Sequence, residues 1–337
     1  MRTAIIGSGG ISRTHGMCLS QMPDVSIVGW ADKVIERAQV RADEYGGDVY
    51  ADYKAMLDAI KPDVAHICLP HFLHAPVAIE CLKRGIHVLT EKPMCIHEQD
   101  AQAMIETARQ FGKTLGVVFQ NRYNDGSVLV KNAIQSGRLG KVLSVRAQVC
   151  WFRDEAYYLS TDWRGRWETE GGGVLINQSI HTLDLVRWLV DDAITQVQAD
   201  YNNFTHPAIE VEDIFTALVE FSQGARANLY FTTNNATNAP VELHLHAENG
   251  YADIVGDAAV IQYADGTTEE AKPAPSTQVP GVPDYWGNSH MRQFRQFYDA
   301  LAKGEQPEIN GEEAIHTQRL LCALYESGRL RKAVTLG

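Results

Sequence analysis

No apolar run among the 337 residues approaches the ~20 that a membrane-spanning helix needs. Secretory-leader character is missing too: residues 1–6 read as the opening of a strand, and a cytoplasmic location is expected. Basic residues are in deficit, 30 lysines and arginines against 42 acids, for a formal charge of −12. Nucleic-acid phosphates and anionic membranes both call for a cationic surface, so neither is an expected partner. Cysteine is scarce, and Cys18, Cys68, Cys81, Cys95, Cys150 and Cys322 lie apart in apolar segments with no Cys-x-x-Cys pair. They read as buried free thiols of a reducing compartment. His71 and His74 are three apart and His244 and His246 alternate on a strand, but neither pair has a third ligand in a recognisable frame. No bound metal is expected. Internal repeats and long disordered tracts are absent as well.

What the chain does have is alternation of strand and helix over residues 1–120. Residues 3–6 form an apolar strand, followed by Gly7-Ser8-Gly9-Gly10-Ile11-Ser12 and a helix carrying residues 15–22. Glycines there let the backbone turn tightly and approach a pyrophosphate, and the helix behind them presents unpaired N–H groups. A second strand, 25–30, leads to Asp32, about 20 residues past the glycines, where an acid meets the ribose hydroxyls of a dinucleotide. Its charge favours NAD, while Lys33 and Arg37 keep NADP open. Helices at 36–45 and 53–60 precede a buried strand, 63–69, stopped by Pro70. Helix 75–84 then leads to the strand Ile86, Val88, Leu89, which runs into Glu91-Lys92-Pro93. A helix at 98–111 and a strand at 115–119 complete a parallel, doubly wound sheet of the α/β class. Ligands bind at the carboxyl ends of such strands, which makes Lys92 the first candidate for chemistry.

From 121 to 337 strands dominate. After a helix at 127–135 come strands at 142–152, 194–204, 214–221, 226–233, 241–247, 251–255 and 259–263, an open and largely antiparallel sheet. Between the first two lies a stretch with Trp163, Arg164, the run Gly171-Gly172-Gly173, and Asn177, His181 and Asp184. Spacings of four and three put those last three on one face of a helix. Residues 272–283 form a Pro-rich linker, 272–288 a candidate flap over a substrate, and 289–301 and 312–327 amphipathic helices. Tyr123, Arg153, Tyr157, Tyr158 and Trp286 are candidates for lining a pocket.

In their order along the chain, the glycine loop, Asp32, Pro70 to His74, Glu91-Lys92-Pro93 and 171–184 resemble the glucose-fructose oxidoreductase, inositol dehydrogenase and rhizopine-catabolism (Gfo/Idh/MocA) family. The resemblance implies a Rossmann domain at 1–120 and a substrate-binding, oligomerising domain at 121–337, in homodimers or homotetramers through the open sheet. It implies NAD held by Gly7, Gly9, Gly10, Ile11, Asp32, Pro70, His71, His74, Glu91 and Lys92, with Trp163 and Arg164 near the nicotinamide. It also implies a cis Lys92–Pro93 bond and Lys92 and His181 as the catalytic pair; beside these, Asn177, Asp184, Tyr123 and Tyr158 are the expected contacts of a bound carbohydrate. Two positions depart from the family pattern. Inositol dehydrogenases carry Asp where this chain has Asn177, which makes inositol less favoured, and the usual Asn after Pro70 is His71.

The expected reaction is reversible hydride transfer between a secondary carbinol of a sugar or cyclitol and the nicotinamide. The carbinol oxygen must lose a proton as its carbon loses hydride, and an imidazole titrates near neutrality, which suits His181 to that task. Lys92 would stabilise the developing alkoxide. Asn177 would orient a hydroxyl and Asp184 the imidazole. Two other readings stay open: an NAD-dependent glycoside hydrolase working by transient C3 oxidation, and a non-catalytic sugar sensor.

Overall fold

The computed structural model describes residues 1–272 and 289–336, so Trp286 and all but the first residue of the expected flap at 272–288 lie outside the described residues. The strands β1 (Arg2–Ile6), β2 (Ser26–Ala31), β3 (Asp48–Tyr50), β4 (Val64–Ile67), β5 (His87–Thr90) and β6 (Leu115–Val117) form one parallel sheet. Its order is β3-β2-β1-β4-β5-β6. The order reverses direction between β1 and β4, and the crevice at the carboxyl ends there is where doubly wound sheets bind ligands. Helices α1 (Gly10–Ser20), α2 (Ile35–Tyr45), α3 (Tyr53–Ile60), α4 (His71–Lys83) and α5 (Glu98–Gln110) connect the strands. With both faces covered, β4 is buried at every residue, His66 included. Helix α4 begins at His71, four residues before the expected start, and so places His71 and His74 in its first turn.

The chain divides into one unit of Met1–Phe119 with Thr277–Gln318 and another of Gln120–Ser276 with Arg319–Gly337. The expected boundary near 120 marks the first departure from the Rossmann unit, but not the last. Helix α9 (His290–Lys303), assigned from sequence to the second domain, returns to the first. Phe294, Phe297 and Tyr298, spaced three and one apart on its apolar face, join a core with Ile5, Leu19, Met22, Trp30, Val64 and Leu89. The apolar stripe was visible in the sequence; which core it fills was not.

In the second unit β7 (Val142–Cys150), β8 (Ile194–Asn202), β9 (Ile214–Phe221), β10 (Arg226–Thr232), β11 (Glu242–Ala247), β12 (Gly250–Val255), β13 (Ala258–Tyr263), β14 (Thr268–Ala271) and β15 (Val334–Thr335) make a nine-stranded sheet. The order is β14-β13-β12-β11-β7-β10-β9-β8-β15, and β7 with β10 is its parallel pair in an otherwise antiparallel ladder. Helices α6 (Asp125–Gln135) and α8 (Ile180–Val190) pack on one face, where Val145, Ala147 and Val149 are buried. The alternate residues point the other way, with Tyr230 42% exposed among them, and Leu143, at the irregularity that shifts β7 against β11, is 48% exposed. A five-residue helix, α7 (Glu155–Leu159), and the last helix, α10 (Gly311–Leu330), complete the described elements. Among the described residues no helix is long and apolar enough to cross a membrane.

Candidate functional site

Gly7 leaves β1 with φ of +94°, and a Cβ there would stand 2.3 Å from the Cys68 carbonyl oxygen, so only glycine fits. Gly9 has the opposite surroundings: nothing lies within 4 Å of where its Cβ would be, leaving the backbone open to a close neighbour. Gly10 and Ile11 start α1, whose first turn has neither an acidic residue nor a side-chain cap, so its N–H groups remain available to an anion. Ser12 is buried and donates to the Gly9 carbonyl at 2.6 Å. Half-buried Asp32 accepts from Ser8 N and Val34 N, each at 2.8 Å, and thereby holds the loop from its far end. The Ser8 hydroxyl is buried in the loop with no hydrogen-bond partner. An open glycine backbone, uncapped helix N–H groups, an orphaned hydroxyl and a neighbouring acid fit the pyrophosphate and ribose of a dinucleotide.

The turn after β5 carries half-buried Lys92, and the Lys92–Pro93 peptide is cis. Glu91, expected at the cofactor, turns inward instead. It is 6% exposed and accepts from His15 Nε2 at 3.0 Å and from Lys92 N at 3.2 Å, with His290 Nε2 at 3.9 Å. Burial opposes its charge, but the His15 bond and the charges of His15, His290 and Lys92 outweigh that and hold the carboxyl down to about 2. His74 also turns inward. It is fully buried, with Nδ1 2.7 Å from the Pro93 carbonyl oxygen and Nε2 2.8 Å from that of Leu69, and so joins the loop after β4 to the Lys92 turn. Burial lowers its pKa against the pull of those carbonyls and of Glu91. His71 is buried edge-on to His74 at 5.8 Å between ring centroids, and Pro70, before it, is half-buried.

In the second unit the expected single helix through Asn177, His181 and Asp184 is interrupted. Val174–Gln178 is a π-helical turn closed by Ser179 N on the Val174 carbonyl at 2.9 Å, and α8 begins only at Ile180. Glu212 caps the turn. Its carboxylate accepts from Gly173 N at 2.8 Å, Leu175 N at 3.0 Å and the Tyr325 hydroxyl at 2.9 Å. Cβ atoms at Gly172 or Gly173 would fall 1.9 Å from the Tyr325 hydroxyl oxygen and the Glu212 carbonyl oxygen respectively, which explains the glycine run. Half-buried Asn177 donates from Nδ2 to Glu170 Oε1 at 2.6 Å, while Glu170 Oε2 accepts from Gly165 N at 2.5 Å. Burial pushes Glu170 and Glu212 up to about 7 against these hydrogen bonds. His181 is half-buried in the first turn of α8.

Two expected substrate contacts are placed otherwise. Asp184 is 1% exposed and accepts from Arg122 Nε and Nη2 at 2.6 Å each in a buried bidentate pair, with Arg187 Nη2 at 4.0 Å. Tyr158 is also 1% exposed, its hydroxyl 3.1 Å from Thr233 Oγ1. Its neighbour Tyr157 has the accessible role: half-buried, it receives Gln178 Nε2 at 3.2 Å and lies 3.5 Å from Asn177 Nδ2. The Arg164 guanidinium stacks over Tyr157 at 4.6 Å and over half-buried Trp163 at 5.0 Å, while Tyr123 is half-buried in a 3₁₀ turn at Gln120–Tyr123.

Residues 1–119 match the model of an oxidoreductase family with an NAD-binding Rossmann fold, and residues 128–253 match the GFO/IDH/MocA C-terminal domain. The chain belongs to the GFO/IDH/MocA oxidoreductase family. Among similar members are D-glucoside 3-dehydrogenase of Escherichia coli, 26% identical over 100% of this chain and 97% of the relative, and inositol 2-dehydrogenase of Rubrobacter xylanophilus, 28% identical over 98% and 93%. The solved WlbA dehydrogenase from Bordetella pertussis, in complex with NADH and UDP-GlcNAcA, is 29% identical, with TM-score 0.87 over 100% of this chain and 99% of that one. For a GFO/IDH/MocA chain, the residues that motif reading passed over are those that hold the motifs: His15 and His66 behind Glu91, Glu170 behind Asn177, and Glu212 behind the glycine run. The one signal in the sequence was charge or imidazole within otherwise apolar stretches, as in Val64–Ile67.

Proposed function

We propose that the protein is an NAD-dependent dehydrogenase acting on a secondary carbinol of a pyranose-type sugar or sugar derivative. The observation that carries this is the placing of Lys92 at the carboxyl end of β5, on the edge of the sheet whose first strand opens into the Gly7–Gly9 cradle. The loop from Gly7 to Ile11 and the first turn of α1 would hold the pyrophosphate. Asp32 would hold the ribose hydroxyls and disfavour a 2′-phosphate. Bound NAD supplies the hydride acceptor, and in the reverse direction NADH the donor. His181 takes the hydroxyl proton as the carbinol C–H leaves as hydride, and Lys92 holds the negative charge that builds on the same oxygen. Asn177, its Nδ2 engaged by Glu170, offers its carbonyl oxygen to a substrate hydroxyl, and Trp163, Arg164 and Tyr157 shape the surroundings.

Relatives that act on a glucoside and on inositol, and a structure holding UDP-GlcNAcA, support a ring-shaped polyol as the substrate class. An amide at Asn177 moves the preference from inositol toward glucosides, anhydrosugars and nucleotide sugars. The open face of the second unit's sheet, with Tyr230 exposed, suits a homodimer or homotetramer, and six free thiols suit the cytoplasm. The test is a panel of glucosides, anhydrosugars, nucleotide sugars and cyclitols, scored by NADH or NADPH absorbance. Reduction of NAD by a pyranose-type member is expected. Release of an aryl leaving group without net NADH would replace this reading with the hydrolase, and binding without any reaction would replace it with the sensor.

A further inference from the structure

Behind the Lys92 turn the first unit buries a chain of polar groups that the proposed reaction does not use. The hydroxyls of Thr3 on β1 and Tyr298 on α9 lie 2.7 Å apart, and the Tyr298 hydroxyl is 3.0 Å from His66 Nε2 on β4. His66 Nδ1 faces His15 Nδ1 on α1 at 2.8 Å, and His15 Nε2 meets Glu91 Oε1 at 3.0 Å. Thr3, His15 and His66 are 0% exposed. Apolar side chains would fill this space without desolvating five polar groups, so bare packing does not account for them.

Counting hydrogens limits the pair of rings to two charge states, neutral and singly positive. An ionised carboxylate only accepts, so His15 Nε2 must carry hydrogen, and two Nδ1 atoms facing at 2.8 Å hold a single hydrogen between them. With that hydrogen on His66, both rings are neutral and every bond is donated in one direction, from Thr3 through Tyr298, His66 and His15 to Glu91. With it on His15, that ring is an imidazolium, His66 moves its own hydrogen to Nε2, and the Tyr298 and Thr3 hydroxyls reverse. Both states keep the four hydrogen bonds of the chain, from Thr3 to Tyr298, His66, His15 and Glu91, so one proton enters or leaves without breaking it. Burial, and then the His15 charge, keep His66 well below the usual imidazole range, and His15 is the ring that meets the Glu91 carboxylate, which places the positive charge there by contact.

We propose that His15 and His66 are positioning residues for Lys92: a buried one-proton pair, ending on Glu91, that sets the charge behind the Lys92 ammonium. The proposal rests on the catalytic reading of Lys92 given above. With His15 neutral the Glu91 charge is left to His290 and Lys92; with His15 charged it is compensated at the carboxylate itself. The other titratable groups around Glu91 are His290 on α9, Cys68 after β4 and His74 on α4, each electrostatically coupled to it.

Nitrogen-15 spectra of histidine-labelled protein between about pH 5 and 9 test this directly. The expected result is one common step in which His15 gains a proton while His66 stays singly protonated and transfers its hydrogen from Nδ1 to Nε2. In Lys92→Met, which removes the competing positive charge, that step moves to higher pH by ~0.5 or more. Separate steps for the two rings, no step at all, or a step unmoved by Lys92→Met would overturn the proposal. On the best sugar of the panel, His15→Phe lowers kcat about tenfold at unchanged KM, and His15→Gln, which can still donate to Glu91, recovers most of it. Equal losses in the two variants would also count against it. Should no sugar be oxidised, the functional reading fails, while the spectra still decide the pair.

Discussion

Each unit of the molecule buries glutamates beside its candidate chemistry, and the two treat them oppositely. Glu91 in the first unit is held down to about 2, whereas Glu170 and Glu212 in the second are pushed up to about 7. All three are almost fully buried, at 6%, 0% and 1% exposed, so burial is common to both outcomes. The partners differ. Glu91 is met by the His15 and His290 imidazoles and followed by Lys92, while Glu170 and Glu212 receive amide, backbone and phenolic hydrogens and the Glu212 charge raises Glu170 further. Neutral donors soften desolvation; cationic ones reverse it. The first unit thus keeps a fixed negative charge behind its lysine, and the second keeps carboxyls able to exchange a proton near neutrality.

Breaking that contrast has its largest effect at Asp184, a buried acid of the second unit that does have a cation. Arg122→Met leaves Asp184 buried without its guanidinium fork and is expected to cost about 3–5 kcal/mol in denaturant unfolding. The comparison is sharpened by pH next. Raised in the fold, Glu170 and Glu212 contribute stability that is fully present below 4.5 and lost as pH rises through about 7, so Tm should fall across that window. Glu170→Gln should flatten the fall. Glu91 has the reverse sign: its contribution is present above 4.5 and lost as pH falls through about 2, and Glu91→Gln should flatten the acid side alone. The smallest effect falls on half-buried Asp32, which no cation partners. Asp32→Ala is expected to narrow the preference for NAD over NADP by about tenfold, measured as the ratio of kcat/KM values.

Legibility followed the same division. The glycine loop, Asp32 and Lys92 stand at strand ends fixed by a regular alternation of β and α, and the sequence placed them within one unit before any coordinates. Boundaries slipped where strands are short: β3, β14 and β15, of three, four and two residues, carry too little pattern to be read. In the second unit, helical spacing through 177, 181 and 184 failed because residues 174–178 form an i→i+5 turn before α8 begins, capped by Glu212 from far along the chain. Burial of Glu91, His74, Asp184 and Tyr158 was hidden for a related reason: each is defined by a partner remote in sequence or by a backbone carbonyl that no motif records. Tyr157 and Tyr158 are adjacent and chemically alike, and only packing distinguishes the one beside Asn177 from the one inside the core.

The central claim is that Lys92 and His181 serve one hydride transfer with NAD. Its most direct test is the rate of NADH formation by Lys92→Met and by His181→Ala at saturating NAD and sugar, with NADH binding followed by fluorescence. Each variant is predicted to bind NADH as the unaltered protein does yet turn over ~100-fold or more slowly. Turnover within a few-fold of the unaltered protein in both would contradict the account.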